Sequence, residues 1–296
     1  MPMSLFTYCP SAYQPKFDNE SELLHVHKLF QKYFEVLEAD TPKLIEQAFN
    51  LRYQVYCLEN PFENASCFPN KMEMDHYDQY SIHALIRYRD TGEAVGTVRL
   101  VRPNSSGHRN GFPMEPCCST LLTNIPREMQ ISSHHSPAEI SRFAISKNIR
   151  QRVIKMASAT KAGHSKEEKY NNTRLDRLLY SHLTLELVAA AMHLSDKHGI
   201  THWYSLASPA LFRTLRRFAI RLTPIGSAIE HRGIRLPCID NLETLLRRVY
   251  KNQPDAWKIL TNHGAIWPES KRNYIEEYTK VARKLTMVPQ PQIASA

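Results

Sequence analysis

Apolar residues recur every three or four positions through residues 22–38, at Leu23, Leu24, Leu29, Phe30, Tyr33 and Phe34, and predict a helix closed by a short strand at Phe34–Leu37. Thr41-Pro42 supplies an N-cap and a first helical position for a second helix over Lys43–Leu58, stopped before Asn60-Pro61. Ser81–Arg89 and Ala94–Val101 read as strands joined by the turn Asp90-Thr91-Gly92, a β-hairpin. Ala138–Ser146, with Ile140, Phe143 and Ile145 between Pro137 and Lys147, is a further strand. Leu175–His198 is the longest helical pattern; Gly199 ends it and the apolar strand Thr201–Ala207 follows. Ser208-Pro209 then caps a helix reaching about Ile220. Helical stretches at Leu242–Tyr250 and Ser270–Leu285 precede a disordered end at Pro289–Ala296. Helix, hairpin, strand, helix, strand, helix, strand is an α+β order, which calls for a mixed sheet flanked by helices.

With 296 residues, 42% of them hydrophobic, the chain can bury a core in one or two domains. No apolar run approaches the roughly 18 residues of a membrane span, and the N-terminus lacks a signal pattern, so a cytoplasmic protein is expected. The six cysteines are scattered without a C-x-x-C pair, which favours reduced thiols over zinc or a disulfide framework. The vicinal pair Cys117-Cys118 reads as two small apolar residues near a turn, with redox activity as the alternative. A net charge of +9 favours an acidic partner. From Lys147 to Arg177 nine Lys/Arg face three acids in a segment rich in Ser, Ala, Asn and Gly. That segment reads as a mobile solvated loop or as a docking surface for an acidic protein.

Candidate chemistry concentrates in Glu73-Met74-Asp75-His76-Tyr77-Asp78, where three carboxylates crowd a short connection and are suited to hold or deprotonate a cationic group. Arg99, between Val98 and Leu100 on a strand, is an unusual place for a charge unless it faces a cleft. Asp75 and Asp78 bind an ammonium or fix Arg52 and Arg99 by bidentate pairs, with Glu73 in support. A surface acidic turn, and a solvated helix face for Arg52, are the competing readings. Glu139 on the strand is a candidate base, since partial burial raises a carboxyl pKa toward the working range. An ion pair with Arg142 competes, although residues three apart in a strand point to opposite faces. His83, alone on a strand, reads more readily as a hydrogen-bonded core residue than as a ligand. Phe143, Ile145, Trp203, Tyr204, Leu206, Phe212 and Leu215 suit an apolar tunnel, with ordinary core as the alternative.

Taken in order, Arg52, Tyr56, Phe62, Glu73-x-Asp75-x-x-Asp78, Arg99 in Gly96-Thr97-Val98-Arg99-Leu100, and Glu139-x-x-Arg142 resemble the N-acyl-homoserine-lactone synthases of the GNAT acyltransferase fold. The segments LRYQVYCLENPFE, EMDHYDQYSIH, VGTVRLVRP and EISRFAIS are similar, more closely still, to N-acyl amino acid synthases and the exosortase-associated acyltransferases of PEP-CTERM bacteria. The likeness spans roughly residues 35–225. It implies a three-layer GNAT-like domain over residues 22–240, with a basic insertion at about 147–174, an extension at 1–21 and a helical extension and tail at 241–296. Glu139, Arg99, Ser141 and Arg142 would be catalytic, with backbone N–H groups from Ser141 to Phe143 forming the oxyanion site. Arg52, Tyr56, Phe62, Glu73, Asp75, Asp78, His83 and Phe143 would bind substrate. The family commonly has Phe and Trp where Tyr56 and Phe62 stand, so the acceptor pocket departs from the pattern.

Ordinary GNAT enzymes cradle the coenzyme A pyrophosphate in a glycine-rich turn at a helix N-terminus, and no G-x-G turn lies between Ser146 and Leu175. Acyl carrier protein, whose phosphopantetheine arm brings one phosphodiester, fits that absence and the basic insertion. The expected reaction moves a fatty acyl group from acyl carrier protein, or from acyl-CoA, to the amine of an amino acid or similar small molecule. No metal and no tightly bound cofactor are implied. The alternatives are an autoinducer synthase that uses S-adenosylmethionine, a basic nucleic-acid-binding protein, and an acyl sensor without turnover. No helix-turn-helix or zinc pattern supports nucleic-acid binding.

Overall fold

The computed structural model describes residues 21–103, 111–118, 136–149 and 166–267, with backbone alone for 166–180. The expected N-terminal extension, most of the basic insertion, the helix at Ser270–Leu285 and the C-terminal tail lie outside these residues.

The predicted caps start the helices. Ser21 accepts from Leu24 N–H at the head of α1 (Glu22–Tyr33), which runs directly into β1 (Phe34–Glu38). Thr41 accepts from Leu44 N–H, and Pro42 opens α2 (Pro42–Tyr53). The chain then widens into a π-helical turn at Gln54–Glu59 instead of continuing as regular helix to Leu58. The hairpin forms as expected from β2 (Ser81–Tyr88) and β3 (Ala94–Val101), and β4 spans Pro137–Ile145. Helix α3 (Lys166–Lys197) begins nine residues before the predicted Leu175. Lys and Glu at positions 166–169 are good helix formers, so this end of the basic segment is helical and not a loop. β5 (His202–Ala207) and α4 (Pro209–Arg216), capped by Ser208, follow.

Beyond α4 the chain adds β6 (Ile229–Glu230), β7 (Ile234–Asn241), α5 (Leu242–Asn252) and α6 (Pro254–Thr261). β7 contains Pro237, which cannot donate to a ladder. The short β6 pairs only with Ile234 and Arg235, so it makes no demand on that missing donor.

The seven strands lie in the order β1-β2-β3-β4-β5-β7-β6, all neighbours antiparallel except β4 and β5. Strand alternation assigns the two faces. Ala84, Ile86, Val98, Leu100 and Ala138 join Leu183, Leu187 and Met192 of α3 in the main core. Leu245 and Val249 of α5 and Trp257 and Leu260 of α6 belong to that same core. Leu85 points the other way, against Ala48 of α2. The result is the expected three-layer α+β fold, and its α2 face carries the polar odd-numbered positions of the central strands.

Candidate active site

Register builds the site. His83 pairs with Arg99, Arg99 with Ser141, and Val101 with Glu139, so three strands bring their polar odd-numbered side chains to one face. Over that face sits a 3-10 turn at His76–Tyr80, whose start is fixed by a reciprocal cap. Asp75 accepts from Tyr77 N–H at 2.9 Å, and Asp78 accepts from Asp75 N–H at 2.7 Å.

These carboxylates and Glu73 also accept from arginines. Arg52 donates from Nε to Glu73 at 2.6 Å and bidentately to Asp78 at 2.7 and 3.1 Å. Arg99 donates to Asp75 at 2.7 Å, to Asp78 at 2.9 Å and to Ser141 Oγ at 3.0 Å. Arg142 reaches Glu73 at 2.8 Å and Asp75 at 3.1 Å. Arg52 and Arg99 are fully buried. Burial opposes the charge on Glu73, but the hydrogen bonds and charges of Arg142 and Arg52 prevail and bring its carboxyl down to about 2. Burial likewise opposes the charge on Asp78, and Arg52, Arg99 and the Asp75 backbone N–H hold its carboxyl far below the usual range.

Two irregularities in β4 open a cavity beside this network. Arg142 has φ 51°, and the register between β3 and β4 slips between Thr97 and Arg99. This bulge inserts one residue and resets the alternation, so Glu139, Ser141 and Arg142 all line the cavity. The three-residue spacing on its own predicts opposite faces. The parallel ladder between β4 and β5 ends at the Ile140–Ser205 pair, although β4 continues to Ile145. The strands part there around a cavity of about 520 Å³.

Glu139 is 2% exposed, and its one hydrogen bond described is accepted from Met114 N–H at 2.8 Å. Burial pushes its carboxyl up to about 8, against the opposing pull of that N–H and of Arg99 and Arg142. The folded protein therefore holds this proton more tightly than the unfolded chain does. Its contribution to stability is complete below the ordinary carboxyl range and is lost as pH rises through about 8. Denaturant melts of wild type and Glu139→Gln across this window are expected to show wild type losing ground as pH rises, by a few kcal/mol. Parallel curves would contradict the burial of an ionisable group here.

The predicted residues divide into two sets. Tyr56, Asp75, Glu139, Ser141, Arg142 and Phe143 line the cavity. Arg52, Glu73 and Arg99 stand behind them as buried support, together with the Asp78 side chain, so the solvated helix face weighed for Arg52 does not occur. His83 is also behind the cavity wall, edge-on to Phe49 with Nε2 3.6 Å from Asp78; burial, with Arg52 and Arg99 nearby, depresses its pKa to about 4. Phe62 is exposed, beneath the Arg235 guanidinium. Of the apolar tunnel residues, Phe143, Trp203, Leu206 and Leu215 line the cavity, whereas Ile145 belongs to the main core, Phe212 packs with Ala207 and Cys238, and Tyr204 packs on Phe112. Cys57, Cys67, Cys117, Cys118 and Cys238 are free thiols; Cys117 lines the cavity, with its Sγ 3.9 Å from that of Cys118.

Sequence reasoning missed Tyr77 and the basic group His231, Arg232 and Arg235 at the cavity. The signal was the run His231-Arg232-Gly233-Ile234-Arg235, which spans the turn between β6 and β7, with Gly233 at φ 89°. Arg232 is held by Glu63, which also lies 3.6 Å from Arg142.

Among the described residues no helix is long and apolar enough to cross a membrane. No curated protein matches the sequence. Among solved structures the chain is similar to TofI in a ternary complex with an inhibitor and MTA, at 19% identity over 76% of this chain and 99% of that one, with a TM-score of 0.47. It is similar to FeeM, an N-acyl amino acid synthase from uncultured soil microbes, at 10% identity over 73% and 93%, TM-score 0.43. It is also similar to BjaI, a CoA-dependent acyl-homoserine lactone synthase, in complex with SAM and isopentyl-CoA, at 16% identity over 77% and 98%, TM-score 0.46. Residues 51–160 match the acetyltransferase (GNAT) domain. That segment contains the arginine–carboxylate network, the bulge and Glu139, and the chain therefore carries an acyltransferase domain of the GNAT type.

Proposed function

We propose that the protein transfers a fatty acyl group from a phosphopantetheine thioester to the amine of an amino acid or a similar small molecule. The single observation carrying this reading is the placement of Glu139, a buried carboxyl tuned to about 8, beside the bulge and at an apolar cavity where two strands part.

The acyl chain lies against Phe143, Trp203, Leu206 and Leu215, and the thioester carbonyl meets backbone N–H groups between Ser141 and Phe143. The neutral amine attacks the carbonyl carbon, forming the C–N bond. The nitrogen becomes strongly acidic as it does so, and the Glu139 carboxylate takes its proton. The C–S bond then breaks, and the proton passes from Glu139 to the departing thiolate, restoring the base. Ser141 and Arg142 are held in place by Arg99 and by Glu73 and Asp75. Arg232 and Arg235 bring positive charge to the cavity, which suits an acceptor bearing a carboxylate. The missing glycine-rich turn and the basic stretch after Ser146 favour acyl carrier protein over CoA as donor, and hence a cytoplasmic reaction. The motif likeness to exosortase-associated acyltransferases favours an N-acyl amino acid as product.

The test is incubation of the purified chain with acyl carrier proteins or acyl-CoA and a mixture of labelled amino acids, with labelled S-adenosylmethionine in parallel. Mass spectrometry is expected to find an N-acylated amino acid. A lactone formed from S-adenosylmethionine alone would replace this acceptor with the autoinducer one. Bound acyl donor without any acylated amine would leave the sensor reading standing in its place.

A further inference from the structure

Away from the cavity, α1 and α3 face each other through a buried group with no part in the reaction above. Glu186 Oε1 lies 2.6 Å from His27 Nδ1 and 2.8 Å from His182 Nε2, the two histidines converging on one carboxylate oxygen. The three potential ligand atoms all lie within 4.8 Å of one another. We propose that His27, His182 and Glu186 bind one divalent transition-metal ion of the zinc type, which ties α1 to α3.

The donor set is two imidazoles and one carboxylate, a combination zinc accepts with a water completing four-coordination. Zinc holds such ligands at about 2.0–2.2 Å, which separates neighbouring donor atoms by about 3.3 Å. The two close contacts need to open by roughly half an ångström to admit the ion.

His182 supplies an independent indication. Its side chain is 2% exposed, yet neither ring nitrogen has a hydrogen-bond partner among the described residues. Nε2 lies within reach of Glu186 Oε1, but the ring is turned so that an N–H would not aim at that oxygen. A buried imidazole left in this state is costly, and a metal at the shared position satisfies its lone pair.

Gln31 completes the arrangement from one turn along α1. Its amide lies 2.9 Å from His27 Nε2. Turned to present its oxygen, that amide accepts from Nε2–H and leaves the Nδ1 lone pair facing Glu186. His27 is the most exposed of the three at 12%, against 4% for Glu186, and gives the route by which ion and water enter. His182 and Glu186 are four apart on one helix face, whereas His27 lies 159 positions from Glu186, so no local spacing announces the site.

The experiment uses the untagged full chain, stripped with chelator and titrated with zinc at neutral pH against a chromophoric competitor. Metal content and thermal unfolding are measured on the same samples. One zinc per chain, a raised unfolding temperature, and affinity weakened roughly tenfold or more in His27→Gln are expected. His27 is chosen because variants of the buried His182 or Glu186 risk misfolding. Cys117→Ser is expected to bind zinc as wild type does. Equal zinc affinity in His27→Gln and wild type, or no zinc retained and no thermal shift in wild type, would overturn the site.

Discussion

Glu139→Gln is expected to lower kcat for amine acylation by roughly 100-fold or more, the usual range for loss of a general base and about 2.7 kcal/mol of barrier. Gln keeps the shape and can still accept the Met114 N–H that holds Glu139 at 2.8 Å, so the wall stays in place while the proton acceptor is lost. The pH profile separates this role from a structural one. Plotted against the concentration of neutral amine, wild-type kcat/KM should climb as pH rises through about 8 and then level, because only the carboxylate form accepts a proton. The variant should show no such climb. Burial sets the direction, since it stabilises the neutral acid and the charges of Arg99 and Arg142 only partly offset it. Wild-type turnover in Glu139→Gln, or a profile already level at pH 6, would remove Glu139 from the chemistry.

Arg52→Ala is expected to destabilise the fold by roughly 3–5 kcal/mol in equilibrium denaturation, among the largest single-residue effects in the chain. Arg52 is fully buried and partners both Glu73 and Asp78, so truncation leaves two buried carboxylates without their main counter-charge. Arg52→Lys should recover only part of the loss, because an ammonium cannot reproduce the bidentate contact with Asp78 together with the Nε contact with Glu73. The network also carries a pH signature. Glu73 and Asp78 have depressed carboxyl pKa values, so their contribution is present above the ordinary carboxylate range and is lost as pH falls toward about 2. Removing Arg52 should raise the pH at which the protein unfolds in acid. An unchanged acid midpoint with a stability loss under about 1 kcal/mol would mean that the network is solvated rather than buried. The same logic governs Arg99, whose paired guanidinium is buried and absent from the cavity wall, so its truncation perturbs folding before it reports on catalysis.

The basic insertion shows where local reading stops. Residues 166–174 fall in the segment read as a loop, yet their backbone is helical, since their Lys and Glu residues are good helix formers that continue α3 N-terminally from the well-packed part beginning near Ser181.

Caps, turns and periodicity act over a few residues, so the chain alone determined α1, α2, the β2–β3 hairpin, β4, β5, α4 and α5, and the segments from which the site is built. It also put three acids into six residues, for which ammonium binding, pairing with Arg52 and Arg99 and a surface acidic turn are all open readings, and the folded chain shows the pairing. Tertiary structure decided the rest. Only strand register sets Arg99 beside Ser141, only the bulge at Arg142 turns that side chain to the same cavity as Glu139, and only burial in the folded protein raises the Glu139 pKa, against the pull of the Met114 N–H. The contact of His27 with Glu186 has the same origin. Proton affinity and ligand geometry depend on which distant groups share a few ångströms of low-dielectric space, and no short stretch of sequence carries that information.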